Sequence, residues 1–391
     1  MLRFIYPVCT KNITIALFTF FALMNITSCY TIDHNHGSSP VFPVSRQFMQ
    51  FNPHWYVVGE AKDFPINKPK KITLNGSPIA VWRDNSDNYA AISDICPHRG
   101  ASLSHGRIDP QSKCIVCPYH TFKYNDKGRM VQTPGQKTMR SNNGYNFRAD
   151  VAHYAIAKKG EWIYILNKPL IDINDMQRWI GDTSAQESIW MEPEAKDKNF
   201  RSVMLSKLFK QDARTVTENS LDILHISEVH SFGNKRRPLP ISGRLEQVGP
   251  GRHKYTYEYE AGDDSIPSKI FGIKTLTVEN EYVLPHTTIA RVKFGEFVNT
   301  IVTAASPLTK DTTRLFVKAY RNNWVFNAPL LDYAFDKMTE RMMEKTLSED
   351  KGVVDTIYPK YRDGNFITKY DDLVRLYRDD YARQTMSNSS E

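Results

Sequence analysis

The sequence predicts an α+β protein: a small antiparallel β domain, followed by a domain in which strands precede one long C-terminal helix. Three observations support this prediction. The chain has 391 residues, 41% of them hydrophobic, which is enough to fill two cores. Short β-branched or aromatic runs separated by turn residues recur along it. Near the C-terminus, apolar residues recur at helical spacing.

Residues 1–48 form an extension before the first domain. Its apolar run, residues 13–24, has the length of a signal-peptide core rather than of a membrane span. Residues 26–29 are similar to a lipoprotein cleavage box, but there is no twin arginine. A membrane anchor, an organelle-targeting segment and a true start at Met49 all stay open. We expect membrane association through this extension, with a cytoplasmic or organelle-targeted protein as the alternatives.

The first domain is expected over residues 49–170. Its strand candidates are short runs rich in β-branched and aromatic residues, and they lie at residues 55–59, 71–74, 79–82 and 162–166. Turn residues separate them. This pattern predicts a small antiparallel β domain.

Two short motifs in this domain each combine one thiolate with one imidazole. Cys96 and His98 form the first motif, and Cys117 and His120 form the second. Two cysteines can hold one iron of a [2Fe-2S] cluster while two histidines hold the other, which is the arrangement of a Rieske centre. Zinc also accepts such residues, but zinc fingers group the cysteines in one half and the histidines in the other. Cys114 is interpreted as a buried thiol.

A second group of potential metal ligands has the spacing N-x2-D-x2-H-x4-H and comprises Asn219, Asp222, His225 and His230. If the stretch is helical, Asp222 and His225 lie on one face, and His230 must fold back just beyond the helix. Two histidines and a carboxylate on one side of a metal leave positions open for O2 and substrate, as in non-haem Fe(II) oxygenases. Histidines this close can also be ordinary surface or core residues.

The second domain is expected over residues 201–383, between a linker at 171–200 and a disordered tail at 384–391. Its strand candidates lie at residues 253–260, 287–294 and 313–320.

The long C-terminal helix is expected to begin at Pro329. Its predicted buried stripe consists of apolar residues at helical spacing, namely Leu331, Phe335, Met338 and Met342. The same phase brings Glu349 and Asp350 to the edge of the stripe, before Gly352 loosens the helix. Helical phase alone does not choose between these two carboxylates as a third metal ligand.

Residues 96–107 and 117–124, followed by the later histidine motif, resemble the Rieske non-haem iron oxygenases. The domain order and the motif around Asp222 look most similar to the branch that includes vanillate and dicamba demethylases and the chlorophyll-pathway oxygenases. The resemblance implies a helix-grip second domain, in which a curved antiparallel sheet surrounds the long C-terminal helix. It also implies that the working enzyme is a homotrimer.

The resemblance further implies roles for single residues. His225 and His230 match the histidines that bind a mononuclear Fe(II), and Asn219 matches a polar position near that iron. Asp222 matches the acid that bridges an iron-bound histidine to a Rieske histidine of a neighbouring subunit. Residues 348–354 resemble the family's E-D-K-x-V-V run, so Asp350 is the expected third iron ligand, with Glu349 and Asp355 as alternatives.

The function expected is an oxygenase that activates O2 and hydroxylates or demethylates a small hydrophobic substrate of aromatic, sterol or tetrapyrrole-like type. Family analogy favours monooxygenation over dioxygenation. The chain has neither a G-x-G-x-x-G motif opening a βαβ unit nor a plant-type cluster motif, so electrons should come from a separate NAD(P)H-dependent reductase or ferredoxin.

The alternative function is a Rieske electron-transfer or hydrophobic-ligand-binding protein without oxygenase activity. About three irons per chain would favour the oxygenase, and about two would favour the carrier. The net charge of +8 is modest, and no nucleic-acid motif accompanies the basic clusters, so no nucleic-acid partner is expected.

Overall fold

The computed structural model describes residues 53–135, 149–170, 189–322 apart from 264, 266, 267, 270 and 271, and 328–386. All of these belong to one compact unit. The N-terminal extension predicted at residues 1–48 lies outside the described residues. Among the helices within the described ranges, none combines the length and the apolar character needed to cross a membrane.

The described residues of the first domain form ten antiparallel strands in two sheets. In chain order they are β1 Trp55–Glu60, β2 Lys70–Leu74, β3 Ser77–Arg83, β4 Tyr89–Ser93, β5 Arg107–Ile108, β6 Ile115–Val116, β7 Lys123–Tyr124, β8 Met130–Gln132, β9 His153–Lys159 and β10 Trp162–Leu170. One sheet has the order β1-β10-β9-β4-β3-β2, and the other has the order β5-β6-β7-β8. All four predicted strands are present, which confirms the antiparallel β prediction.

In the second domain, the described residues form a seven-stranded antiparallel sheet and four helices with described bounds. Its strands are β11 Arg201–Phe209, β12 Ser242–Gly249, β13 Arg252–Glu260, β14 Thr275–Val283, β15 Thr287–Phe294, β16 Phe297–Thr309 and β17 Thr312–Arg321. Their order in the sheet is β11-β17-β16-β15-β14-β13-β12. The helices are α1 Ala213–Leu221, α2 His225–Val229, α3 Pro329–Val354 and α4 Asp372–Met386.

The two faces of this sheet pack against different partners. Along β16, Ile301 and Ala305 belong to a core cluster that includes Val216 of α1 and Leu347 of α3. Alternate side chains of a strand point to opposite faces, and Val302 accordingly packs in a separate cluster with β10 of the first domain. The sheet therefore lies between the first domain and the helices.

The prediction of which face of α3 is buried is wrong. The helix does begin at Pro329 as predicted, but Leu331 and Met342 are 51% and 44% exposed. The buried side chains are instead Asp332, Leu347, Asp350 and Val354. Gly352 does not interrupt the helix.

Ion pairs and apolar contacts both lie on this other face of α3. Arg201 of β11 donates to Asp336 at 2.6 Å, and Arg321 of β17 donates to the same carboxylate. Arg321 also donates to the carbonyl of Asp332 at 3.3 Å. These arginines pair with acidic side chains on this face of the helix, and Leu347 and Val354 on the same face pack in an apolar cluster with the sheet and α1.

The predicted tail boundary at residue 384 is also wrong. Residues 384–386 continue α4, and the rest of the predicted tail, residues 387–391, lies outside the described residues. Within the predicted linker at 171–200, residues 171–188 are outside the description, and Pro193–Lys196 form a short 3-10 helix.

Candidate metal centres

The two Cys–His motifs lie on loops with the same backbone hydrogen bonding. In each loop the cysteine N–H donates to the carbonyl five residues later, and its own carbonyl accepts from the N–H four residues later, at 2.8 to 3.2 Å. That fourth residue is Gly100 (φ +72°) after Cys96 and Thr121 (φ +61°) after Cys117. Glycine adopts this left-handed conformation freely, whereas a β-branched threonine is strained there. Such strain is typical of functional loops.

The four predicted cluster residues converge at the tips of these loops. The thiols of Cys96 and Cys117 are buried, whereas His98 is exposed and His120 is partly exposed. The Nδ1 atoms of the two histidines are 3.0 Å apart. Two imidazoles therefore present the same ring atom to one point, and two thiols lie in the core. A cluster in which two histidines bind one iron and two cysteines bind the other requires this arrangement. Burial raises the pKa of the Cys96 thiol, so its thiolate needs a cationic partner such as iron.

Tyr124 is a further residue at this site, and its role is not predicted from the sequence. It is fully buried at the end of β7, and its hydroxyl lies 3.6 Å from Cys96 Sγ. Its phenol can therefore donate a hydrogen bond to a cluster sulfur. The one signal in the sequence is a tyrosine in the strand directly after the second motif.

The histidine motif of the second domain is not one continuous helix, so the prediction that Asp222 and His225 share a helical face is wrong. α1 ends at Leu221, Asp222 is extended, and α2 begins at His225. Asp222 Oδ1 accepts the N–H of Leu224 at 2.8 Å, a local hydrogen bond that competes with the helix. His230 follows α2 in an extended conformation, so it does fold back as predicted.

The structure brings His225, His230 and Asp350 together. The Nε2 atoms of the two histidines lie 3.4 and 3.5 Å from one oxygen, Asp350 Oδ1. One ligand atom from each of the three residues lies within 4.8 Å of the others. Asp350 Oδ1 is buried, yet it has no hydrogen-bond partner among the described residues. Because an uncompensated buried carboxylate is costly, these residues fit a cation held between them.

The outer nitrogens of the two histidines show which ring atoms face this point. His225 Nδ1 lies 2.8 Å from the carbonyl oxygen of Asp222, and His230 Nδ1 lies 3.3 Å from Glu349 Oε2. A carbonyl and an ionised carboxylate only accept hydrogen bonds, so each Nδ1 carries the proton. Each Nε2 then offers its lone pair toward Asp350, as a metal ligand must.

The surroundings shift the pKa values of the two histidines in opposite directions. Burial lowers the pKa of both. At His225, the carboxylates of Asp350 and Asp222 outweigh burial, and the pKa is raised. At His230 burial prevails, and the pKa is lowered. A metal ion therefore competes with a proton for His225.

The other carboxylates considered as ligands lie outside this group. Asp355 accepts the N–H of Lys210 at 2.7 Å and pairs with Lys351. Glu349 faces the outer side of His230. Asn219 lies in the last turn of α1 and is partly buried, three residues before Asp222.

Comparison with known proteins agrees with this geometry. Residues 54–153 match the Rieske [2Fe-2S] domain family. The chain is 25% identical to pheophorbide a oxygenase of Arabidopsis thaliana, over 71% of this chain and 50% of the relative. It is 21% identical to the 5,5'-dehydrodivanillate O-demethylase oxygenase subunit of Sphingobium sp., over 83% of this chain and 78% of the relative. The chain thus spans about half the length of the pheophorbide a oxygenases.

The fold is similar to that of dicamba monooxygenase bound to dicamba. The TM-score is 0.68 at 19% identity, and the match covers 86% of this chain and 98% of that one. This likeness supports the predicted helix-grip architecture of the second domain. The chain thus contains a Rieske [2Fe-2S] domain, and it is similar in sequence and in fold to Rieske non-haem iron oxygenases.

Proposed function

We propose that this protein is the oxygenase component of a Rieske monooxygenase system. A separate NAD(P)H-dependent reductase or ferredoxin supplies electrons to a [2Fe-2S] cluster, whose ligands are Cys96, His98, Cys117 and His120. A mononuclear Fe(II), the site of O2 activation and substrate oxidation, is bound by His225, His230 and Asp350.

One observation carries this proposal. Asp350 Oδ1 is buried without a hydrogen bond from any described residue, and two imidazole Nε2 atoms lie 3.4 and 3.5 Å from it. Two histidines and one carboxylate are the ligand set of non-haem Fe(II) oxygenases. A Rieske electron carrier would have no need of such a site.

The surroundings of the site support a hydrophobic substrate. An apolar cluster that includes Ile223, Tyr257 and Phe294 packs beside the motif between α1 and α2, and Ile226 packs against it. We propose a small substrate of aromatic, sterol or tetrapyrrole-like type. The named relatives, an O-demethylase and a pheophorbide a oxygenase, favour monooxygenation over dioxygenation.

We further propose that the working enzyme is a homotrimer and that residues 1–48 associate with a membrane. The exposure of His98 and of the Asp222 carboxylate supports a trimer, because a second copy could bring these groups together. The apolar run at residues 13–24 supports membrane association. Sedimentation of the purified protein and flotation with lipid vesicles test these two points.

Iron quantitation tests the function. The purified protein should be red-brown, contain about three irons per chain and show a Rieske signal in electron paramagnetic resonance after reduction. Addition of nitric oxide should produce a second signal from the mononuclear Fe(II). A protein reconstituted with iron that holds only about two irons per chain and gives no nitric oxide signal would be an electron carrier, and the oxygenase proposal would be wrong.

Tyr124→Phe should lower the reduction potential of the cluster. Its hydroxyl lies 3.6 Å from Cys96 Sγ, and a hydrogen bond to sulfur stabilises the more negative, reduced cluster. If the lost bond contributes about 1.4 kcal/mol, the potential falls by about 59 mV. Protein-film voltammetry measures the shift, with Tyr358→Phe, at an exposed tyrosine of the second domain, as a control. An unchanged potential in Tyr124→Phe would show that this contact does not influence the cluster.

A further inference from the structure

Glu349 and Asp350 are adjacent in sequence on α3, yet they contact opposite sides of the His230 ring. Successive residues of a helix are about 100° apart around its axis. Asp350 Oδ1 lies 3.5 Å from His230 Nε2, whereas Glu349 Oε2 lies 3.3 Å from His230 Nδ1. The imidazole is therefore held between two carboxylates, one on the ligand side and one on the outer side.

Both carboxylate oxygens of Glu349 have contacts of their own. Oε2 also accepts the N–H of Ser231 at 3.3 Å, and Oε1 lies 3.9 Å from Nζ of Lys345, one turn earlier on α3. Phe232 stacks on His230, with ring centroids 5.0 Å apart and planes 17° from parallel. The orientation of the His230 ring is thus defined by contacts on its edge and on its face.

This contact matters because, among the described residues, it is Glu349 and not a backbone carbonyl that accepts the Nδ1–H of His230. The residue follows α2, a helix of only five residues, in extended backbone. Glu349 connects this segment to α3, the helix that carries Asp350. His225 differs: its Nδ1 bonds the carbonyl of Asp222, which lies in its own turn.

We propose that Glu349 is the positioning residue of the mononuclear metal site. Its carboxylate binds the Nδ1–H of His230 and the N–H of Ser231, and thereby directs His230 Nε2 to the point shared with His225 and Asp350. The inference rests on the proposed function, since it takes that point as the place of Fe(II). Glu349 is then a partner of a ligand rather than a ligand, and its negative charge makes Nε2 a stronger donor.

The test compares Glu349→Ala and Glu349→Gln with Glu340→Gln, a matched control. Glu340 lies on the same helix and pairs with Lys337 on the surface. Fe(II) affinity is measured by chelator competition on protein whose mononuclear site has been emptied, and the nitric oxide adduct is examined by electron paramagnetic resonance. The visible spectrum of the Rieske cluster reports that each variant is folded.

We expect Glu349→Ala to bind Fe(II) about 10 to 100 times more weakly and to change the line shape of the nitric oxide adduct. Glu349→Gln keeps an acceptor oxygen without the charge, so its affinity should lie between those of Glu349→Ala and wild type. Glu340→Gln should match wild type in both measurements.

Three outcomes would overturn the inference, and they are distinguishable. If Glu349→Ala and Glu349→Gln bind Fe(II) as tightly as wild type with an unchanged adduct spectrum, Glu349 has no positioning role. If Glu349→Ala binds no Fe(II) while Asp350→Ala still does, Glu349 is a ligand instead. If wild type itself takes up no mononuclear iron, the proposed function fails together with this inference.

Discussion

Asp350→Ala is expected to abolish turnover and mononuclear iron while leaving the Rieske cluster intact. The substitution removes the one oxygen that both histidine Nε2 atoms face, at 3.4 and 3.5 Å. Two neutral imidazoles without a carboxylate are a poor site for Fe(II). Loss of a residue that only hydrogen-bonds to a metal ligand lowers metal affinity by up to roughly 100-fold. Loss of the ligand Asp350 should lower the Fe(II) affinity by more than that. Iron per chain should drop from about three to about two.

The matched control for this prediction is Asp355→Ala. Asp355 is a carboxylate at the end of the same helix, but it accepts the Lys210 N–H and pairs with Lys351 away from the histidines. This variant should keep its iron, although it loses some stability. Iron analysis and the nitric oxide signal are the measurements. If Asp350→Ala retains all of its iron, or if Asp355→Ala loses its mononuclear iron, the assignment of the third ligand is wrong.

The parts of the two sites that can be predicted from sequence are those encoded within a few residues. Cys96 and His98 lie two residues apart on one tight loop, and His225 and His230 lie five apart around one short helix. Asp350 follows more than a hundred residues later, and helical phase could not separate it from Glu349. Only the resemblance of residues 348–354 to a family motif selected it.

The remaining features depend on tertiary contacts. The buried face of α3 contacts arginines on β11 and β17 and an apolar cluster with the sheet and α1, which are distant in sequence, so an apolar stripe read from the helix alone leads to the wrong face. The helix break at Asp222 depends on a local hydrogen bond, in which the Asp222 carboxylate accepts the N–H of Leu224. Tyr124 contacts Cys96 and Glu349 contacts His230, and both pairs are distant in sequence and meet only in the folded chain.

Asp222→Asn is expected to slow electron transfer between the two metal centres while leaving both centres filled. His225 Nδ1 bonds the backbone carbonyl of Asp222 at 2.8 Å, whereas the carboxylate oxygen Oδ2 is 3.8 Å away. The asparagine oxygen can still accept the Leu224 N–H. The turn and the orientation of His225 should therefore survive the substitution, and iron content should stay at about three per chain.

What the substitution removes is the charge of a carboxylate that is 39% exposed. In the proposed trimer, this carboxylate accepts a hydrogen bond from a Rieske histidine of a neighbouring copy and aligns the two centres. Lost alignment of two reacting centres costs on the order of 100-fold in rate. A single turnover with a pre-reduced Rieske cluster, O2 and a substrate found to be oxidised by the wild type measures this rate directly. Should the variant reoxidise at the native rate, or should a strictly monomeric protein turn over normally, the bridging role of Asp222 would be wrong.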